Sequence, residues 1–349
     1  MSSGNKLITI VGSLNYDITT YLKKIPSANE TCTSDNVEYN LGGKGFNQCI
    51  SASKSLDDPS ELEIRMLGSI GSDIYGKLFI DELKKNRVNA DSIKIIDKEN
   101  TGVANIIVES ENNHSNRIMV FSGANKHTVF ANKELAECFG NDAKEFVVLQ
   151  NEIPDPLSII SYIQQSTKDK FIVYNPSPFN AIEYPADFNW GNVDVIVVNE
   201  IEAFQLANHL QIVDNEEEVP SDDSESFIDY FTDLATKTSN KFQLSSSINA
   251  LIITLGSKGL IYQNRSSKEI TYMNASKLAN PPIDSTGCGD TFLGFFTSTF
   301  AKNFDINNVD ANIVDALKVA NSAAGIAVTR KGASSSVPTR QEVRDIYKM

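Results

Sequence analysis

The sequence predicts an α/β protein: a doubly wound, mostly parallel sheet with helices on both faces and a small β-sheet lid. Two observations lead there. Short apolar runs rich in β-branched residues occur at residues 7–14, 64–70, 146–149, 171–174, 193–198 and 250–255, and a run apolar throughout marks a strand covered on both faces. Segments of helical pattern separate them, at residues 45–56, 73–86, 156–167 and 201–210, which is the alternation of such a sheet.

In chain order, the first strand runs into residues 12–17 (GSLNYD), where Asn15 and Asp17 are two apart and share a face if extended. Ligands of open α/β sheets collect at the carboxyl ends of strands, although an Asx turn explains this pair equally well. Residues 31–41 and 101–121 break the rhythm, with mixed polar and apolar faces, no helix inside the second, and a hairpin turn at residues 111–116. Together they suggest a small antiparallel sheet suited to closing over a ligand and to pairing with another subunit.

Residues 41–48 (LGGKGFNQ) come next in the argument, since two glycines break a strand and a third opens a helix. Lys44 and Asn47 supply donors there. The stretch imitates part of a dinucleotide fingerprint, but Gln48 replaces its third glycine and the segment does not follow the first strand. Glu152 (QNEIP) and the pair Asn199 and Glu202 (NEIE) follow buried strands, and three strand ends carrying Asp, Glu and Asn point to a polar site with a cation. Residues 214–225 hold seven acidic residues in twelve positions and read as a solvated surface insertion.

Residues 284–294 (DSTGCGDTFLG) open an apolar helix. Gly287 and Gly289 let the chain turn tightly and aim backbone N–H groups at one point beside a helix N-terminus, a cradle for an anion. Asp290 at the same start is electrostatically costly next to a phosphate unless it takes a proton as a general base. On residue type alone it reads sooner as a helix cap than as a base.

Composition narrows the function. The chain has 349 residues, 41% apolar and 22% charged, enough for a substantial core in one large or two ordinary domains. Its 31 basic and 45 acidic residues leave a net charge of −14, which argues against nucleic acid or a membrane surface as partner. No apolar run approaches membrane length and residues 1–6 lack signal-peptide character, so a soluble, cytoplasmic protein is expected, with the nucleus a further possible compartment. Cys32, Cys49, Cys138 and Cys288 form no CxxC pair, and His114, His127 and His209 are scattered, so neither a disulfide framework nor a zinc site is expected.

The segments at residues 42–48, 122–125 (SGAN), 199–202, 254–259 (TLGSKG), 284–290 and 327–338 (AVTRKGASSSVP), in this order, resemble the ribokinase family, in the phosphofructokinase-B class of sugar kinases. The resemblance runs from Leu7 to Pro338. It implies a single domain over residues 1–349 with lid segments at 16–42 and 100–122, and transfer of the γ-phosphoryl of ATP to the 5-hydroxyl of D-ribose, the alternatives being a related sugar or nucleoside kinase of the same fold or a catalytically silent sugar-binding regulator. By motif position Asp290 is the expected base, and the amides of Gly287, Cys288 and Gly289 the anion hole. Asn15, Asp17, Gly43, Lys44, Asn47 and Glu152 are expected on the sugar hydroxyls. Thr254, Leu255, Gly256, Ser257, Lys258 and Gly259 are expected along the nucleotide, with Asn321 near the adenine. Asn199 and Glu202 are expected to place magnesium. Asp284, Ser336 and the carbonyls of Thr286, Arg330 and Gly332 are expected to hold potassium. A homodimer through the lid is expected as well. Two residues depart from the family pattern: Cys288 stands at an anion-hole position that is usually small, where inert packing is expected ahead of an oxidation-sensitive thiol, and Phe46, commonly small in the family, is expected to add a wall to the sugar pocket.

Overall fold

The computed structural model describes residues 6–58, 60–109, 111, 115–179, 184–185, 188–214, 218–242 and 249–348. Eight strands form the large sheet, in the order β14-β13-β12-β11-β10-β9-β1-β4. They are β1 (Lys6–Val11), β4 (Glu63–Leu67), β9 (Lys144–Gln150), β10 (Lys170–Asn175), β11 (Val195–Asn199), β12 (Ala250–Thr254), β13 (Leu260–Asn264) and β14 (Ile270–Met273). The first six are parallel and the last two add on antiparallel.

Alternate residues of one strand enter different cores, because side chains of a strand point to opposite faces. Phe146 and Val148 of β9 join one apolar cluster, with α1 (Lys44–Lys54), α7 (Cys288–Asn303) and α8 (Val309–Ala327). Val147 and Leu149 join the other, with α3 (Asn132–Phe139), α4 (Pro156–Ser166), α5 (Glu200–His209) and α6 (Phe227–Lys241). Helix starts are fixed locally: Asp73 accepts from the Gly76 N–H at 2.8 Å to cap α2 (Ile74–Lys85), and Asp155 accepts from the Ser158 N–H at 3.0 Å ahead of Pro156. The chain ends on α9 (Arg340–Tyr347).

A second sheet of order β3-β2-β7-β8 stands apart, built from β2 (Asn15–Leu22), β3 (Asn36–Gly42), β7 (Gly102–Glu109) and β8 (Ser115–Phe121). Its centre is β2, which pairs antiparallel with β3 and parallel with β7. The sequence had not marked β2 as a separate strand, since its polar residues hide the alternation. The strand expected at 31–41 begins only at Asn36. The expected hairpin turn at 111–116 falls largely outside the described residues, as do residues 215–217 of the acidic insertion, whose described carboxylates are exposed. The apolar run 64–70 is two strands: β4 in the large sheet and β5 (Ser69–Gly71), which pairs with β6 (Lys94–Ile96). Among the described residues no helix is long and apolar enough to cross a membrane.

Candidate active site

Five parallel strands end along one edge of the large sheet. β1 stops at Val11, β9 at Gln150, β10 at Asn175, β11 at Asn199 and β12 at Thr254. A cavity of about 230 Å3 lies at this edge, lined by Lys44, Asn175, Asn199, Glu202 and Thr254 and by Gly287, Gly289 and Asp290 from the start of α7.

Gly287 precedes α7 in the left-handed region, at φ 73°, and a Cβ there would sit 2.6 Å from the Ala333 Cα, so conformation and packing both require glycine. A Cβ at Gly289 would meet nothing within 4 Å, so this residue fronts open space. The Cys288 N–H is already engaged, donating to the Ser285 carbonyl at 3.2 Å. Burial, then the charges of Asp284 and Asp290, push the Cys288 thiol up to about 12, which favours inert packing over thiolate chemistry.

Asp290, in the first turn of α7, accepts from Asn47 Nδ2 on one oxygen at 3.0 Å and from Gln48 Nε2 on the other at 2.9 Å. Burial pushes its carboxyl above the ordinary carboxylate range, against the opposing pull of Lys44 and the two amides. Lys44 loses by burial, yet Asp290, Glu152 and Glu202 together raise it above its ordinary value, so it stays an ammonium among carboxylates. Close approach of backbones brings these groups together. Gly43 lies at φ 90°, and a Cβ there would be 2.8 Å from the Asn15 nitrogen; a Cβ at Gly45 would be 2.6 Å from the Gly12 carbonyl carbon. The Phe46 N–H accordingly reaches the Ser13 carbonyl at 3.0 Å, seating α1 on the end of β1. Phe46 itself is fully buried against Phe79, away from the cavity.

Glu152 accepts from the Ser13 hydroxyl and, at 2.9 Å, from the Lys44 N–H. Asp17 lies over Gly42, where a Cβ would sit 2.0 Å from its Oδ2. Burial first, then Glu152 and Asp290, raise the Asp17 carboxyl to about 7. Asn15 is held by Asn125, whose Nδ2 donates to Asn15 Oδ1 at 2.8 Å while its Oδ1 takes the Leu14 N–H at 3.0 Å. Asn47 keeps its buried Oδ1 without a partner among the described residues, an unused acceptor beside Asp290.

Asn199, Glu202 and Thr254 share the cavity lining with Lys44 and Asp290, and the remaining expected residues lie beyond it. Asn199 and Glu202 form a capping box on α5: the Glu202 N–H donates to Asn199 Oδ1 at 2.8 Å and the Asn199 N–H to Glu202 Oε2 at 3.1 Å. Beyond Thr254, residues 255–259 form a tight turn that closes with the Leu255 N–H on the Gly259 carbonyl, Gly259 lying at φ 102°. Gly256, Ser257 and Lys258 make its short 3-10 segment, and a Cβ at Gly256 would meet open space. Asn321 on α8 ties down the segment after β14, donating to the Asn274 carbonyl at 2.8 Å. Asp284 joins two loops, accepting from the Thr286 N–H and the Gly332 N–H, each at 2.9 Å. Despite burial, these bonds and Lys331 hold its carboxyl below its ordinary range. Arg330 pairs with Glu342 at 2.6 Å, and the buried Ser336 hydroxyl donates to the Ala333 carbonyl at 2.7 Å.

Sequence reasoning passed over Ser13, Gln150 and Asn175. A signal was present for two of them: Gln150 and Asn175 are the first polar residues after the apolar runs 146–149 and 171–174. A carboxylate held by two amides beside an ammonium, facing open space at a helix N-terminus, can receive a hydroxyl proton while the helix end receives an anion. Fold and site thus define a phosphotransferase on a doubly wound sheet.

A model of the pfkB family carbohydrate kinases matches residues 5–340. A ribokinase of Schizosaccharomyces pombe is 31% identical, over 96% of this chain and 96% of its own. Among solved structures, ribokinase from Giardia lamblia superposes with a TM-score of 0.79 at 28% identity, covering 99% of both chains. Ribokinase from Cryptococcus neoformans in complex with ADP gives 0.76 at 29% identity, covering 98% of this chain and 99% of that one. The chain belongs to the pfkB family of carbohydrate kinases.

Proposed function

We propose that the chain is a ribokinase, transferring the γ-phosphoryl group of ATP to the 5-hydroxyl of D-ribose. The observation that carries this reading is the grip of Asn47 and Gln48, from the glycine loop, on both oxygens of Asp290 at the left-handed start of α7. It joins a loop suited to sugar hydroxyls to a helix end suited to phosphate. Asn15, Asp17, Gly43, Lys44, Asn47 and Glu152 surround the sugar, and the unpartnered Oδ1 of Asn47 accepts from one of its hydroxyls. Asp290 takes the proton of the attacking hydroxyl. The amides of Gly287 and Gly289 stabilise the transferred oxygens, and the Cys288 amide joins them by leaving the Ser285 carbonyl. Thr254 and residues 255–259 flank the nucleotide, with Asn321 toward the base; the ADP complex of the Cryptococcus relative supports a nucleotide here.

Two cations complete the reading. Glu202 is buried, lines the cavity and spends only one oxygen on its cap, so with Asn199 it fits magnesium held through water. Magnesium there would neutralise phosphate charge. Asp284, ionised and partly buried between two loops, fits potassium beside the Thr286, Arg330 and Gly332 carbonyls and Ser336. A cytoplasmic setting agrees with four free cysteines.

ATP consumption measured across pentoses, hexoses and nucleosides tests the reading. D-ribose is expected to give the highest kcat/KM, and a hexose or nucleoside that exceeds it tenfold would replace ribose as the substrate. Repeating the ribose assay from potassium-free Tris into KCl should raise kcat, while choline chloride should not; an equal response to both removes the potassium site.

A further inference from the structure

We propose that Gln48 is a positioning residue that aims the Asp290 carboxylate at the substrate hydroxyl, through a buried relay of amides that begins at Gln150. This rests on the reading of Asp290 as the base of a sugar kinase.

Gln48 is 1% exposed and Gln150 fully buried. Gln150 Nε2 donates to Gln48 Oε1 at 2.7 Å, which commits that oxygen as an acceptor and turns Gln48 Nε2 toward Asp290 Oδ1, 2.9 Å away. Asn175 sets the same orientation from the other side. Its Nδ2 donates to the Val197 carbonyl at 2.9 Å, so its Oδ1 faces Gln48 Nε2 at 3.4 Å. A flipped Gln48 would set its carbonyl against a carboxylate and its NH2 against another NH2. The relay therefore has one direction and ends on one oxygen of Asp290.

It is also retained at a cost. Gln150 Oε1 is buried with no partner among the described residues, and a Cβ at Gly12 would lie 2.1 Å from it. An apolar side chain at position 150 would fill that space without the desolvation penalty of an orphaned oxygen. The need for the relay lies in what surrounds Asp290: Lys44 from α1, Glu152 after β9, Asp17 on β2 and Cys288 beside it. Lys44 is shared with Glu152 and Glu202. A donor fixed on Oδ1, with Asn47 on Oδ2, favours the ionised carboxylate and orients its remaining lone pairs.

The test uses the full chain with Gln48→Ala, Gln48→Glu and Gln150→Leu, with kinetics from roughly pH 5 to 9 and thermal melts of each variant. Losing a donor to the ionised form raises the Asp290 pKa, so the acidic limb of the kcat profile should move up by roughly one pH unit for Gln48→Ala. A larger move is expected for Gln48→Glu and a smaller one for Gln150→Leu. At its optimum Gln48→Ala should lose roughly tenfold in kcat with KM for ATP unchanged. A limb that stays in place in Gln48→Ala and Gln150→Leu, both folded, overturns the relay, as does a parallel loss in kcat and both KM values. Carboxyl 13C NMR of the substrate-free protein, with Asp290 identified by its absence from Asp290→Asn, reads the same shift without turnover. If wild type phosphorylates no sugar, the kinase reading fails while this titration still decides the relay; an unmoved titration in an active enzyme sinks the relay alone.

Discussion

Asp290 and Asp17 are both carboxyls whose burial opposes their charge, and their surroundings give them different work. Asp290 has two amide donors and an ammonium, and it faces the helix end. Asp290→Asn should preserve binding of sugar and ATP while lowering kcat by about 10²-fold or more, as loss of a positioned base does. Steady-state kinetics within a few-fold of wild type would make it a cap. Asp17, raised to about 7, binds a proton in the folded state that the unfolded chain releases near its ordinary value of 3.8. The folded state therefore holds more protons between these values, and this group's contribution to stability falls as pH rises through about 7. Asp17→Asn should accordingly stabilise the substrate-free protein at pH 8 by about 1–2 kcal/mol, with little gain near pH 4, and weaken sugar binding. Melts at the two pH values check the sign. Asn47 links the two roles, since it donates to Asp290 and keeps a free acceptor, so Asn47→Ala should reduce kcat as well as raise KM for the sugar.

At the scale of the element, the start of α7 contains two glycines of opposite kind. Gly287→Ala meets a left-handed backbone and the Ala333 Cα at 2.6 Å, so a lower Tm and at least a tenfold loss in kcat are expected, backbone strain alone being worth about 1–2 kcal/mol. Gly289→Ala meets open space, and there the Tm should hold while ATP-dependent turnover falls, because the added methyl occupies the ligand's place. Melting curves with kinetics separate the two. Helices with local start signals and one apolar face were legible in the sequence: α2 and α4 appear within a residue or two of their expected bounds, capped by Asp73 and Asp155. β2 was not, because Asn15, Asp17, Thr19 and Thr20 interrupt its apolar residues in a sheet with only one protected face. Nor were β13 and β14, an antiparallel extension that no helix announces. Of the site, residues at glycine-rich turns were legible, since tight turns and helix starts leave local marks. The relay through Gln150 and Asn175 was not, because it exists only where three distant strand and helix ends meet.

Across the whole molecule, the small sheet leaves Ile118, Met119, Val120 and Phe121 of β8 each more than half exposed, with Tyr39 of β3. So much apolar surface on an edge strand suits a second copy of the chain, and light scattering at high micromolar concentration should give a dimer that Val120→Lys weakens. A strict monomer for the unaltered chain removes that expectation. The bond between Asn47 and Asp290 spans 243 positions, and α1 is covered by α7 through the Ser51 hydroxyl on the Thr291 carbonyl at 2.8 Å. During synthesis the glycine loop is made well before its partner helix. At about 5–20 residues per second the ribosome needs roughly 10–50 s to travel from one to the other. Through that interval α1 has one flank bare, and Asn47 and Gln48 lack the Asp290 carboxylate that they hold in the folded chain. The two halves of this seam are joined only once α7 has been made, and a message cut short before it yields a polypeptide with an open seam for chaperones to cover.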